Sequence, residues 1–163
     1  MQKVDRVLLD LIREDSRLTP KKLAAAAGIT EAEAKERVRA LENSGVIVRY
    51  TAIINAEELE EEAVEALIEV KVTPQRGHGF DKIAKEIAAH DEVINLYLMS
   101  GGYDLAVIVR GNSLRAVSRF VSEKISTYDT VISTATHFIL KKYKVEGANM
   151  TDRESGNRLS VQA

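Results

Sequence analysis

Apolar residues at Val4, Val7, Leu8, Leu11 and Ile12 recur every three or four positions, one stripe of an amphipathic helix that runs to about Asp15. Thr19 then supplies an N-cap and Pro20 the first helical position of a second, short helix. Its Leu23, Ala24 and Ala27 make a small-residue face, and Gly28 stops it. Thr30 and Glu33 form a capping box for a third helix, which buries Ala34, Val38 and Leu41 and ends at Asn43-Ser44-Gly45. Three helices, the last two joined by a tight turn, predict a helix-turn-helix over residues 1–50. Beyond it, Val46 to Ile54 is rich in β-branched residues and predicts a connecting strand, suited to a wing or to pairing between subunits.

From residue 63 the period changes. Val64, Ala66, Ile68, Val70 and Val72 alternate with Glu65, Leu67, Glu69 and Lys71, the pattern of a half-buried strand closed by Thr73-Pro74. Phe80, Ile83, Ala84, Ile87 and Ala88 restore the helical spacing. Val93–Met99 and Leu105–Val109 predict a buried hairpin, a helix capped by Asn112 or Ser113 buries Leu114, Val117, Phe120, Val121 and Ile125, and Val131–Tyr143 predicts the last strand. The order β-α-β-β-α-β over residues 63–147 is that of a ferredoxin-like domain, an antiparallel sheet with both helices on one face. The fold class is therefore α+β, an N-terminal (winged) helix-turn-helix followed by a ferredoxin-like domain. Ile94, Leu96, Leu98, Val107, Val109, Ile132, Phe138 and Leu140 exceed what one covered face needs, so the other face is expected to pack on a second subunit. Residues 148–163 are polar and aperiodic and predict a disordered tail.

Composition narrows the class of protein. The 163 residues are 45% hydrophobic and 29% charged, as in a folded soluble chain. There is no cysteine, so disulfides and thiolate metal sites are excluded, which suits a reducing cytoplasm. The charged start, Met1-Gln2-Lys3-Val4-Asp5-Arg6, is unlike a signal peptide, and no apolar run approaches membrane-spanning length, so a cytoplasmic location without membrane partners is expected. The net charge of −2 is uneven: residues 1–50 carry 10 Lys and Arg against 8 Asp and Glu, whereas residues 51–62 carry five Glu and no base. That acidic stretch reads as a solvated connector between two units.

Two stretches carry candidate chemistry. A helix-turn-helix lays its third helix in the major groove of double-stranded DNA. At 100° per residue from Ala34, its outward positions are Ala32, Glu33, Glu36, Arg39 and Ala40, with Lys35 on the flank. Arg39 and Lys35 suit phosphates or a guanine edge, and Glu33 or Glu36 can accept from a cytosine amino group. Glu31, Glu33 and Glu36 repel phosphates, so one copy is expected to bind weakly and the working form to be a dimer or larger. The second stretch is Met99-Ser100-Gly101-Gly102-Tyr103-Asp104. Paired glycines permit positive φ and leave N–H groups uncovered for a small polar molecule, and Asp104 adds a fixed negative charge, so the turn could hold the carboxylate and ammonium of an amino acid. The alternative is a primed hairpin turn with no ligand.

The order of these parts resembles the Lrp/AsnC (feast/famine) family of prokaryotic transcription regulators over about residues 4–145. The resemblance is carried by Asp15-Ser16-Arg17-Leu18-Thr19, by Arg37 and Leu41-Glu42, and by Gly45-Val46-Ile47-Val48-Arg49-Tyr50-Thr51-Ala52. Gly101-Gly102-Tyr103-Asp104 and Ser133-Thr134-Ala135-Thr136 complete it. It implies DNA contacts from the recognition-helix region, Thr30, Ala32, Glu33, Lys35, Glu36, Arg37 and Arg39, although its acids depart from the more basic or neutral family pattern. It implies homodimers, often assembled into octamers, that sense amino acids or related metabolites at subunit interfaces. Gly101, Gly102 and Asp104 would touch the effector, Met99, Ser100 and Tyr103 would shape the pocket, and Thr134 and Thr136 would be contributed by a neighbouring subunit.

Two rivals stay open on sequence. Siroheme decarboxylases resemble the same family in both domains and use His and Arg residues on the substrate. The histidines here, His78, His90 and His137, have no metal-ligand spacing, and no nucleophile–base pair or carboxylate dyad stands out, so no catalytic residue, metal or cofactor is assigned. A ligand-independent oligomerisation protein is the other rival.

Overall fold

The computed structural model describes residues 2–59, 63–74 and 79–151 and divides the chain into two compact units, Met1–Ile53 and Ile54–Ala163.

The first unit holds three helices, α1 (Lys3–Glu14), α2 (Pro20–Ala27) and α3 (Glu31–Asn43). Each begins where a side chain satisfies amides that the helix leaves unpaired. Asp5 accepts from the Gln2 N–H at 2.8 Å, Thr19 from Lys22 at 3.4 Å and Thr30 from Glu33 at 3.2 Å. Gly28 closes α2 at φ +68°, in the left-handed region that a residue with a Cβ reaches only under strain. Leu8, Leu23, Ala24, Ala34 and Leu41 form the core. The expected connecting strand does not form: residues 48–55 are irregular, and Val48, Tyr50, Ile53 and Ile54 are exposed. Strand propensity without a partner for its N–H and C=O groups does not make a strand.

The second unit runs β1 (Val64–Val72), α4 (Asp81–Ala88), β2 (Val93–Leu98), β3 (Leu105–Gly111), α5 (Leu114–Glu123) and β4 (Val131–Phe138). The sheet is antiparallel in the order β2-β3-β1-β4. Ile83 and Ile87 of α4 and Val117, Phe120 and Val121 of α5 pack with Ile125 onto Ala66, Ile68, Val70, Leu105, Val107 and Val109. Each fully buried Ile, Leu or Val contributes about 1.5–3 kcal/mol. At the β3–α5 junction a Cβ on Gly111 would meet Val117 Cγ2 at 3.0 Å, so a larger residue there would need Val117 to shift by a few tenths of an ångström.

The register divides the expected surplus of apolar residues: Leu98, Ile132 and Leu140 are exposed, as that surplus requires, and others turn inward. Val109 pairs with Ala66, Val107 with Ile68, Leu96 with Val107 and Phe138 with Ala66, so these side chains belong to the helix-covered face. The opposite face carries Glu65, Leu67, Glu69, Ala106, Ile108, Arg110 and His137, a mixed surface. Leu114, expected inside, is exposed, and β2 is an exposed edge strand rather than half of a buried hairpin. The last strand stops at Phe138, and the chain returns in a short hairpin, β5 (Lys144–Val145) with β6 (Ala148–Asn149). Ala148 and Asn149 are thus ordered where a tail was expected; residues 152–163 of that tail lie outside the described residues.

Candidate functional site

Two surfaces correspond to the two candidate sites. On α3, residues Ala32, Lys35, Glu36, Arg39 and Ala40 are exposed, as the periodicity predicts. Arg37 is not available in the same way. Its guanidinium donates to Asp5 Oδ1 at 2.9 Å and to Glu33 Oε1 at 2.8 Å, tying α3 to α1. Each partner reports the contact: hydrogen bonds from the Gln2 amide and then from Arg37 hold the Asp5 carboxyl below its usual range, and Glu33 followed by Asp5 raises Arg37. Arg37 and Glu33 are thus each engaged by a partner within the chain, which the helical periodicity alone does not show. Thr30 is used as the α3 cap. Lys35 lies 2.7 Å from Glu31, which lowers the Glu31 carboxyl through a hydrogen bond and charge. Of the α3 cations, only Arg39 has no ion pair among the described residues. Lys21 and Lys22 are exposed in the first turn of α2, a pair that sequence reasoning passed over although adjacent lysines beside the Thr19 cap are visible in the chain. The first helix of such a motif crosses the DNA backbone, where lysines neutralise phosphates.

The second surface is the β2–β3 turn. It spans residues 99–104 between the paired Leu98 and Leu105, longer than a two-residue primed turn. Neither Gly101 nor Gly102 has positive φ, and a Cβ built on either meets nothing within 4 Å. Both glycines, Met99 and Ser100 are exposed, as are Tyr97 and Leu98 leading into the turn, while Tyr103 and Asp104 are half-buried. Asp104 is not a free charge: its Oδ2 accepts the Val72 N–H at 2.9 Å. Thr134 and Thr136 lie on β4, opposite Val70 and Ile68. Because Val70 in turn pairs with Leu105, two strand spacings of about 5 Å each separate Thr134 from the turn strand. One copy of the chain thus brings Met99 to Asp104 together but not the two threonines. Thr134 instead shares a 3.5 Å contact with Ser126.

The histidines have structural partners. His90 Nε2 is 3.1 Å from the Tyr128 hydroxyl and its ring stands edge-on to Phe120; His137 lies 3.4 Å from Glu69. His78 is outside the described residues. Among the described residues no group of three or more His, Asp or Glu could hold a metal ion, and no helix is long and apolar enough to cross a membrane.

Comparison with known proteins places these units. Residues 1–48 match the sequence model of a winged helix-turn-helix DNA-binding domain, and residues 65–148 match that of the Lrp/AsnC ligand binding domain. The uncharacterised HTH-type transcriptional regulator YugG of Bacillus subtilis is 46% identical over 155 residues, covering 94% of this chain and 93% of its own. The HTH-type transcriptional regulator FL11 of Pyrococcus furiosus is 25% identical over 86% of this chain and 90% of its own. Among solved structures, the leucine response regulatory protein LrpA of Mycobacterium tuberculosis superposes with a TM-score of 0.75 at 26% identity, covering 92% of this chain and 99% of that one. A Neisseria meningitidis regulator solved with L-methionine shares the fold at a TM-score of 0.70 and 22% identity, over 89% of this chain and 93% of its own. With a DNA-binding helix-turn-helix joined to a ligand-binding α/β domain, the chain belongs to the Lrp/AsnC family of transcriptional regulators.

Proposed function

We propose that this regulator binds operator DNA sequence-specifically in the cytoplasm as a homodimer or larger assembly, without catalysis, and that an amino acid bound at the β2–β3 turn shifts its DNA affinity. The carrying observation is Gly101-Gly102. Neither a positive φ nor a crowded Cβ position within the chain calls for glycine there, and the bare backbone leaves room for something that approaches from outside. Successive uncovered N–H groups suit a carboxylate. The exposed Tyr97, Leu98 and Met99 beside them supply apolar surface for a side chain and for a second subunit, from which Thr134 and Thr136 would come. The relative solved with L-methionine supports the ligand class. On DNA, Arg39 is the base-reading candidate, with Glu36 on the same outward face able to accept from a cytosine amino group, and Lys21 and Lys22 take phosphates. A ligand that bridges subunits favours the assembly that buries it, and a change of assembly resets the spacing of paired recognition helices.

The test is fluorescence-anisotropy titration of DNA from upstream of the protein's own gene at two salt concentrations, with and without each standard amino acid. Saturable, salt-sensitive binding that one or a few amino acids shift is the expected result. Salt-sensitive binding with no amino-acid effect would remove the effector from this reading and leave the DNA function.

A further inference from the structure

Asp104 looks from the sequence like the charge that meets an effector's ammonium, but its hydrogen bonds give it different work. β3 pairs with β1 as far as Leu105 opposite Val70. One residue earlier, the Asp104 N–H donates to the Val70 carbonyl at 3.1 Å and the Met99 N–H donates to the Asp104 carbonyl at 2.8 Å, which closes the turn. Val72, two residues along the same edge of β1, lies beyond the last paired residue of β3. Its N–H goes to the Asp104 carboxylate, which takes the place of a strand carbonyl. On the other side of β1 the pairing with β4 shifts register between Lys71 and Val72, and the Thr73 N–H donates to the Thr130 carbonyl at 2.8 Å. The end of β1 is thus held from both sides, and on the turn side the hold passes through one residue.

We propose that Asp104 is a positioning residue of the sensing site: it fastens the Gly101-Gly102 turn to the end of β1 through the Val72 N–H, and effector affinity depends on that hold rather than on attraction between its carboxylate and an ammonium. The proposal rests on the effector reading above. The hold needs an acceptor at the Oδ2 position and not a charge, so asparagine, of the same shape and with an amide oxygen, can supply it; alanine cannot. A direct ammonium contact would behave otherwise, because asparagine removes the charge as completely as alanine does.

The experiment uses the full chain and three proteins: wild type, Asp104→Asn and Asp104→Ala. Calorimetry with the standard amino acids identifies the one that wild type binds most tightly. That amino acid and its 2-hydroxy acid analogue, which lacks the ammonium, are then titrated into all three, and hydrogen exchange of the Val72 amide is followed by NMR. Asp104→Ala is expected to weaken amino acid and hydroxy acid by the same factor, on the order of tenfold, the worth of one hydrogen bond to a charged group. It is also expected to speed Val72 exchange, whereas Asp104→Asn restores affinity to within about threefold and keeps the amide protected. Equal loss in both variants for the amino acid, with none for the hydroxy acid, would make Asp104 the ammonium's partner and overturn the positioning role alone; so would an unprotected Val72 amide in wild type. If wild type binds no standard amino acid, the effector reading itself fails and the proposal falls with it.

Discussion

Arg37 of the recognition helix α3 donates a hydrogen bond from Nη1 to Asp5 Oδ1 of α1 at 2.9 Å, so a cation that sits on the DNA-binding helix is spent on holding that helix in place. The same guanidinium takes Glu33, at 2.8 Å, and thereby withdraws one of the acids that would repel phosphate.

Arg37 and Arg39 should therefore separate stability from binding. Arg37→Ala is expected to lower the melting temperature of the first unit and to weaken DNA binding only as far as that unit unfolds. Arg39→Ala is expected to leave melting unchanged and to cost about 1–3 kcal/mol in binding with relaxed base preference, as for a lost bidentate base contact. Circular dichroism melts beside anisotropy titrations check both; a melting loss in Arg39→Ala would contradict the assignment.

Lys21 and Lys22 should act through phosphates. Replacing either with alanine is expected to weaken specific and non-specific DNA alike and to reduce the slope of log K against log salt by about 0.9 per residue. The check is titration at four or more salt concentrations. An unchanged slope would place both lysines off the DNA.

Gly101→Ala and Gly102→Ala should fold as well as wild type, within about 0.5 kcal/mol, because neither position needs positive φ and an added methyl meets nothing in the chain. The same methyl stands where a ligand or second subunit would approach. Denaturant melts are therefore expected to be unchanged while the amino-acid effect on DNA affinity is lost. Alanine variants with a full effector response would show that nothing approaches those backbones.

Glu65 should set part of the acid stability of the second unit. Burial pushes its carboxyl up, but hydrogen bonds and charge from Lys142 and Arg110 outweigh burial and hold it below the ordinary value of 4.5. A folded value below the unfolded one means that the contribution is complete above about pH 4.5 and is lost as pH falls through the lower folded value. Glu65→Gln is expected to cost about 1–2 kcal/mol at neutral pH, toward the lower end because Arg110 is more than half exposed, and to flatten stability against pH below that window. Urea melts from pH 7 to pH 3 of both proteins measure it.

Among the described residues, local signals in the chain were sufficient for the five α-helices and four main strands, because caps, spacing and alternation act over a few residues. Thr19-Pro20, Thr30 with Glu33, and the alternation from Val64 to Val72 all formed the elements they predict. The same holds for the β-α-β-β-α-β order, and the Gly-Gly turn stood out by composition alone.

What the sequence could not show was which partner each polar group takes across the fold. Arg37 meets Asp5, Asp104 meets Val72, and Glu65 meets Lys142 only because helices and strands far apart in the chain come together. Val46 to Ile54 has the composition of a strand and is not one, since pairing needs a neighbour that a single chain does not provide there. Leu96, Leu98 and Val107 look alike as a list of apolar residues, and only the fold packs Leu96 and Val107 under the helices while leaving Leu98 exposed. Periodicity, then, determined the elements and their order. Tertiary structure decided faces, partners and free charges, because each of those is a relation between residues that local sequence does not bring into contact.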